Sequence, residues 1–303
     1  MRPRMKILLI FAQLACLLFA GQACAASFAF CDRQASLTAA EKNQVLNFSM
    51  VVKEMLNKSG SEVAIVSRSG TDLERFHLRY SHSGITLKNN ENTEWSVRQL
   101  YYGCEEQKPS LFDQGMSGFL MTHDENLPSY VSVLLLPAPE ANALEKTALD
   151  NKTSLQLLSP HYSANAYAFS TMYQNCNQWV MELLAYAWGN LQNTGDLRSK
   201  AQDWLKTNDF QPTDIDAKYS YVIWIGHLIP LLHADDHPAA NIDKKIFQVS
   251  MPASIEQFVK AHVDNVKRVE MCLKDGRIVI HRGWDSIPDG CLASPGDEVL
   301  SAS

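Results

Sequence analysis

The chain has 303 residues, 46% of them hydrophobic, with 27 Lys+Arg against 33 Asp+Glu and a formal net charge of −6. That acidic balance argues against nucleic acid and anionic lipid as partners, and the length suffices for a substantial core. Its first 25 residues read as a cleavable leader: Arg2, Arg4 and Lys6, an apolar stretch from Ile7 to Gly21, then the small-residue site Ala23-Cys24-Ala25. The apolar core is too short for a stable bilayer anchor. A lipid anchor needs an apolar residue three positions before its cysteine, where Cys24 has Gly21 and Cys16 has Gln13. Cleavage near Ala25 sends residues 26–303 to the periplasm or beyond as a single domain. It leaves 24 Lys+Arg against 33 Asp+Glu, a net charge of −9.

In chain order, Thr38 and Glu41 form a capping box. Val45, Phe48, Val52, Met55 and Leu56 then recur as one helix face, which Ser59-Gly60 ends. Val63 to Val66 is a short strand and Phe76 to Leu87 a longer one. A turn at residues 89–92 leads to a returning strand from Trp95 to Tyr102. Tyr130 to Leu136 is an apolar strand stopped by Pro137, and Glu140 to Leu149 a short helix. The strongest helix runs from Asn175 to Gly189, with Trp179, Val180, Leu183, Leu184 and Ala187 in one stripe and Gly189 as its terminator. Residues 196–207 give a second helix antiparallel to it. Pro230 to Pro238 is a polar loop. Pro252-Ala253-Ser254 caps a helix to His262, with Gln257 completing a second box, and a C-terminal hairpin precedes ten frayed residues. The class is α+β: a helix, an antiparallel sheet, then a mainly helical half.

Five cysteines remain after cleavage: Cys31, Cys104, Cys176, Cys272 and Cys291. In an oxidising compartment thiols pair, and an odd number leaves one over. Cys272 and Cys291 flank the hairpin and are assigned to each other, which gives Cys31 to Cys104 and leaves Cys176. That thiol opens the strongest helix, where unpaired backbone N–H groups and the helix dipole favour a thiolate and supply part of an oxyanion hole. Tyr173 or Gln174 would complete the hole. His82 is the base in this reading. A polar group on the neighbouring strand should hold its tautomer; Gln99 is best placed, with Glu94 as the alternative nearer the turn. The phosphate-binding glycine loop, the dinucleotide fingerprint, HExxH and CxxC are absent, and the reading needs no cofactor.

Ser-His-Ser-Gly-Ile at 81–85 followed by Asn-Cys-Asn-Gln-Trp-Val at 175–180 resembles the circularly permuted papain-like proteins, the NlpC-type peptidases and the lecithin retinol acyltransferase group. The resemblance covers about residues 60–190. It implies Cys176 as nucleophile, His82 as base and Gln99 as orienter, on a helix packed against a small antiparallel sheet, with a helical and hairpin extension over about 191–295. Gln99 departs from the commoner histidine. A second likeness spans nearly the whole mature chain. Phe-Cys-Asp-Arg-Gln, Arg-Tyr-Ser-His-Ser-Gly, Val-Arg-Gln-Leu-Tyr-Tyr, Tyr-Gln-Asn-Cys-Asn-Gln-Trp-Val, Met-Pro-Ala-Ser-Ile-Glu and His-Arg-Gly-Trp are similar to the bacterial domain-of-unknown-function family 2145, whose members carry signal peptides.

Other features take plainer readings. His233-Ala234-Asp235-Asp236-His237 has the residue types of a divalent-metal site but is read as a solvated turn before Pro238. Glu182 is read as solvating its helix, and Trp179, Trp188 and Trp204 as core. His281-Arg282-Gly283-Trp284 is read as packing beside the hairpin, with Arg282 a candidate contact for an anion. The expectation is therefore a thiol hydrolase or acyltransferase acting on an amide or ester, with a cell-wall peptide or acyl compound as substrate. Its rival is a non-catalytic envelope module of the same fold, and a metal protein using the His233–His237 loop comes third.

Overall fold

The computed structural model describes residues 37–121, 129–218 and 229–302. The expected leader and Cys31 lie outside them. Helix α1 (Ala39–Lys58) starts at the capping box read from the sequence: the Glu41 N–H donates to Thr38 Oγ1 at 3.3 Å, and the Thr38 N–H donates to Glu41 Oε2 at 2.7 Å. Its buried stripe is Val45, Phe48, Val52 and Leu56. Gly60, with φ 77°, turns the chain out of the helix.

Eight strands follow in one sheet: β1 (Val63–Arg68), β2 (His82–Leu87), β3 (Ser96–Gly103), β4 (Lys108–Gln114), β5 (Ser129–Leu135), and, from the C-terminal part, β8 (Lys267–Lys274), β9 (Arg277–Arg282) and β10 (Glu298–Ser301). They lie in the order β10-β9-β8-β5-β1-β2-β3-β4, and each pairing is antiparallel. β6 (Thr213–Asp216) and β7 (Ile246–Val249) form a separate ribbon. The helices are α2 (Met116–Leu120), α3 (Ala138–Leu149), α4 (Asn151–Gln156), α5 (Cys176–Gly189), α6 (Leu197–Thr207), α7 (Ala239–Asp243) and α8 (Pro252–His262). The fold is α+β.

All six residues of β1 are buried, as a central strand covered on both faces must be. One face carries Ala64, Val66, Val97, Val133 and Met271 against Phe48 of α1 and Phe119 of α2. The other carries Val63, Ile65, Ile85, Leu87 and Leu134 against α3, α5, α6 and α8, with Trp179 at its centre. Strand alternation sorts the two sets.

The sheet is larger than the sequence suggested. The C-terminal hairpin is no appendage: β8 pairs with β5 in the register Val133↔Val269, so residues near 270 and near 65 share one core. Its turn, Asp275-Gly276, has positive φ at both positions, the geometry that matches strand twist in a two-residue hairpin. The residues expected to fray form β10, and the Ala302 N–H donates to Gly276 O. The strand expected from Phe76 begins only at His82. Left-handed His77 breaks it, and Arg79 and Tyr80 leave the ladder to bind the buried Glu270 carboxylate. Nor does Gly189 stop α5 by its own backbone freedom. Asn190 takes the left-handed cap, while a Cβ on Gly189 would lie 2.8 Å from the Trp204 indole. At α8, Ser254 accepts from the Met251 N–H, in place of the box expected with Gln257.

Cys272 and Cys291 form the expected disulfide, 19 residues apart. Cys104 is also disulfide-bonded, although its expected partner Cys31 is not among the described residues. A loop of that length confines the unfolded chain enough to contribute about 3 kcal/mol. A Cys272→Ser, Cys291→Ser variant should therefore lose about that much unfolding free energy in a urea titration, without change in its far-ultraviolet dichroism at 25 °C.

Candidate functional site

The site assembles where the start of α5 meets the start of β2. Asn175 caps α5, its Oδ1 accepting the Gln178 N–H at 2.7 Å, while its Nδ2 reaches Ala164 O and Ser250 O, both at 3.3 Å. Asn177 Nδ2 donates to Ser81 O at 3.2 Å and so ties the first turn to the strand entrance. Between them sits Cys176, free and 6% exposed. Its sulfur lies against the backbone N–H groups of Asn177, Ser83 and Cys176 itself, within electrostatic reach of Arg68.

These donors and Arg68 pull the thiol toward ionisation, as the helix start led us to expect. Burial pulls harder, and the outcome is a pKa pushed up to about 11 from an ordinary 9.0. At rest the group is a neutral thiol, contrary to the thiolate expected from position alone.

His82 is the residue before Ser83. Its Nε2 stands 2.5 Å from Gln99 Oε1, and Gln99 Nε2 donates to Gln114 Oε1 at 2.7 Å. Because Gln114 takes the amide N–H of Gln99, the Gln99 oxygen faces the imidazole and holds the proton on Nε2, which makes Nδ1 the basic nitrogen. The ring packs 6.0 Å from Phe119, over which the Arg68 guanidinium also lies at 5.4 Å. Phe119 belongs to the core on the α1 and α2 side, whereas Cys176 belongs to the core on the α5 side. Thiol and imidazole thus approach the strand entrance from its two faces. Gly84 is required here, since a Cβ would fall 2.6 Å from Val97 and 2.9 Å from Arg98 O. Glu94, the alternative orienter, lies beyond the N-terminal end of β3 and is exposed.

Other expected roles dissolve. Tyr173 stacks on His233 with ring centroids 4.3 Å apart, and its hydroxyl donates to Asp235 Oδ2. Gln174 spends its side chain on Ser159 N–H, Leu157 O and Glu182. Neither faces the thiol. Glu182 is fully buried, where solvation had been expected: Arg198, Gln202 and Gln174 all donate to it, and burial pushes its carboxyl upward against the pull of Arg198.

The His233–His237 loop is not a solvated turn either. Asp236 Oδ2 accepts the Tyr167 N–H at 2.8 Å, and His237 Nε2 donates to Asn165 O at 2.8 Å. Burial pushes the Asp236 carboxyl up and the His237 imidazole down. Among the described residues no three His, Cys, Asp or Glu side chains converge as a metal set.

Sequence reasoning missed Arg68, Asn177, Gln114 and the Ser83 N–H. Only Asn177 carried a local signal, as the residue following the helix-opening cysteine.

The raised thiol pKa has a kinetic consequence. Two units cut the thiolate fraction about a hundredfold at neutral pH. Iodoacetamide should alkylate Cys176 of the folded protein at least about a hundredfold more slowly at pH 8 than in urea, with a rate still climbing above pH 9. A rate that levels off near pH 7 would contradict the burial argument.

Residues 55–259 match the model of a family described as an uncharacterized protein conserved in bacteria, DUF2145. Comparison with curated proteins and with solved structures returns no match. The family match covers more than half of the chain and holds β1 to β7, α2 to α7 and both His82 and Cys176. The chain belongs to the DUF2145 family.

Proposed function

We propose that this chain is an exported thiol hydrolase or acyltransferase that acts on an amide or ester carbonyl, with a cell-wall peptide or acyl compound as the substrate class. The observation that carries the reading is the placement of both groups at one strand entrance, the thiol on one face of the sheet and the imidazole on the other. The single free cysteine among the described residues lies against the N–H groups of Asn177 and Ser83, and the residue before Ser83 is a histidine whose tautomer is set by Gln99.

In the reaction, His82 Nδ1 takes the Cys176 proton as the sulfur bonds to the carbonyl carbon. The carbonyl oxygen gains the displaced electron pair and is held by backbone N–H groups at the α5 start. Collapse breaks the bond to the amine or alcohol, which leaves with the proton from His82. Water or an acceptor alcohol or amine then attacks the thioester, gives its proton to His82 and restores the thiol. A resting neutral thiol suits this general-base route, in which the proton departs only as substrate displaces water.

One observation favours a second reading, a non-catalytic binding or assembly module. The thiol is buried and its imidazole partner packs toward Phe119, so His82 must turn toward the sulfur before it can act. Incubation with p-nitrophenyl acetate separates the two. A hydrolase releases nitrophenol and carries an acetyl mass on Cys176, Cys176→Ala loses both, and His82→Ala falls by about 10²–10⁴-fold. Equal turnover by the Cys176→Ala variant, or no acetylation of the native protein, would sink the catalytic reading.

Export is part of the proposal. The Cys272–Cys291 bridge supports an oxidising compartment. Expressed whole in a bacterium, the protein should be recovered from the periplasmic fraction or the medium with a new N-terminus near residue 26. An intact Met1 on the cytoplasmic protein would refute it.

A further inference from the structure

The end of the sheet remote from Cys176 holds a cleft of about 460 Å³ between the last turn of α1, the start of β8 and the residues after β9. Strand register sets the separation. Arg68, beside His82, pairs with Val131 at one end of β5, whereas Leu135 at the other end pairs with Lys267. The floor is aliphatic: Met55, Leu135, Val266 and Val269, the first three half-buried. Trp284 forms one wall, and Lys260 Nζ lies 4.6 Å from its ring centroid.

The rim has one sign. Lys58, Lys267, Arg268 and Arg282 line the cleft, and among the described residues no carboxylate does. Three of them, Lys58, Lys267 and Arg282, are exposed, whereas Arg268 is buried and its charge is taken by Glu256 and Glu270. Two of the exposed cations carry a carboxylate partner, Glu54 on Lys58 and Glu298 on Arg282, both as exposed pairs. Exposed pairs of that kind are weak and exchange readily for another anion.

We propose that this cleft binds a monomeric organic anion with an aliphatic body, a medium-chain carboxylate in type, its head on Lys267 and Arg282 and its tail over Met55, Leu135 and Val269. The volume lies within the range of small-molecule sites. The aliphatic body is taken from the floor and its size bounded by the volume, and the carboxylate from the forked Arg282 guanidinium and the point charge of Lys267.

The test is calorimetric titration of the whole protein with decanoate below its micellar concentration. Decanoate should bind at one site per chain, and decyltrimethylammonium should not. Lys267→Glu with Arg282→Glu should weaken decanoate binding by at least about tenfold. Lys267→Met with Arg282→Met, which keeps side-chain bulk, should weaken it in the same direction and guards against misfolding of the reversed pair. Cys176→Ala should bind as the native protein does, because the cleft and the thiol are separate sites. The proposal is overturned by equal affinity for the cationic analogue, by no heat with decanoate, by unchanged binding in both double variants, or by binding confined to phosphatidylglycerol vesicles.

Discussion

The carboxylate of Glu182, sealed at 0% exposure within α5, is the constraint from which the candidate site hangs. Arg198 grips it with two nitrogens, at 2.8 and 3.0 Å, while its remaining donors take Thr171 O and Tyr173 O. Gln202 adds a bond at 2.8 Å and Gln174 one at 2.6 Å. The segment before Cys176 pairs only through the bridge of Gln174 to Tyr162, and the carbonyls of Thr171 and Tyr173 find their donors on Arg198. One ion pair thereby fixes α6 against α5 and holds the irregular chain that delivers Asn175 and Cys176. Buried pairs of this kind add little net stability, but removing one partner costs about 3–5 kcal/mol, because the other charge is stranded. Its role is to specify a geometry, and the geometry it specifies is the start of α5.

The thiol delivered there is governed by a contest that magnitudes decide. Three N–H groups and Arg68 favour the thiolate, yet the pKa ends near 11 because desolvation is the largest influence. The helix-start argument was correct in direction and too small to win. Burial also accounts for a thiol that stays unpaired beside bonded cysteines: Cys272 and Cys291 are joined and Cys104 is bonded, while Cys176 is buried away from oxidants.

What the sequence made legible was local. The Thr38–Glu41 box, the cap at Asn175, the stripe around Trp179 and the Cys272–Cys291 hairpin each depend on residues a few positions apart. The misreadings involve partners far along the chain. Glu182 reads as a solvated helix charge until Arg198, 16 residues on, is folded over it. Asp236 and His237 read as a polar turn until Tyr167 and Asn165, about 70 residues earlier, claim them. Tyr80 reads as strand until Glu270, 190 residues away, draws it out. Strand β4 was missed because only Pro109 of its seven residues is buried, which leaves no alternation to see.

These long-range pairs share a physical logic that bears on how the molecule divides its surface. The buried acids Glu182 and Glu270 are each neutralised by arginines brought from elsewhere, Arg198 in one case and Arg79 with Arg268 in the other. Both networks anchor non-regular chain: residues 170–174 before the thiol, and the loop after β9, where the Ile287 N–H donates to Glu270. An acidic protein that commits arginines to its interior has fewer left for its surface, which makes a rim where Lys58, Lys267 and Arg282 gather the less expected. Arg268 belongs to both settings, bound to Glu256 and Glu270 beneath while lining the cleft above. The packing that closes the sheet around Glu270 therefore also fixes one wall of the cationic cleft, at the end of the molecule away from Cys176.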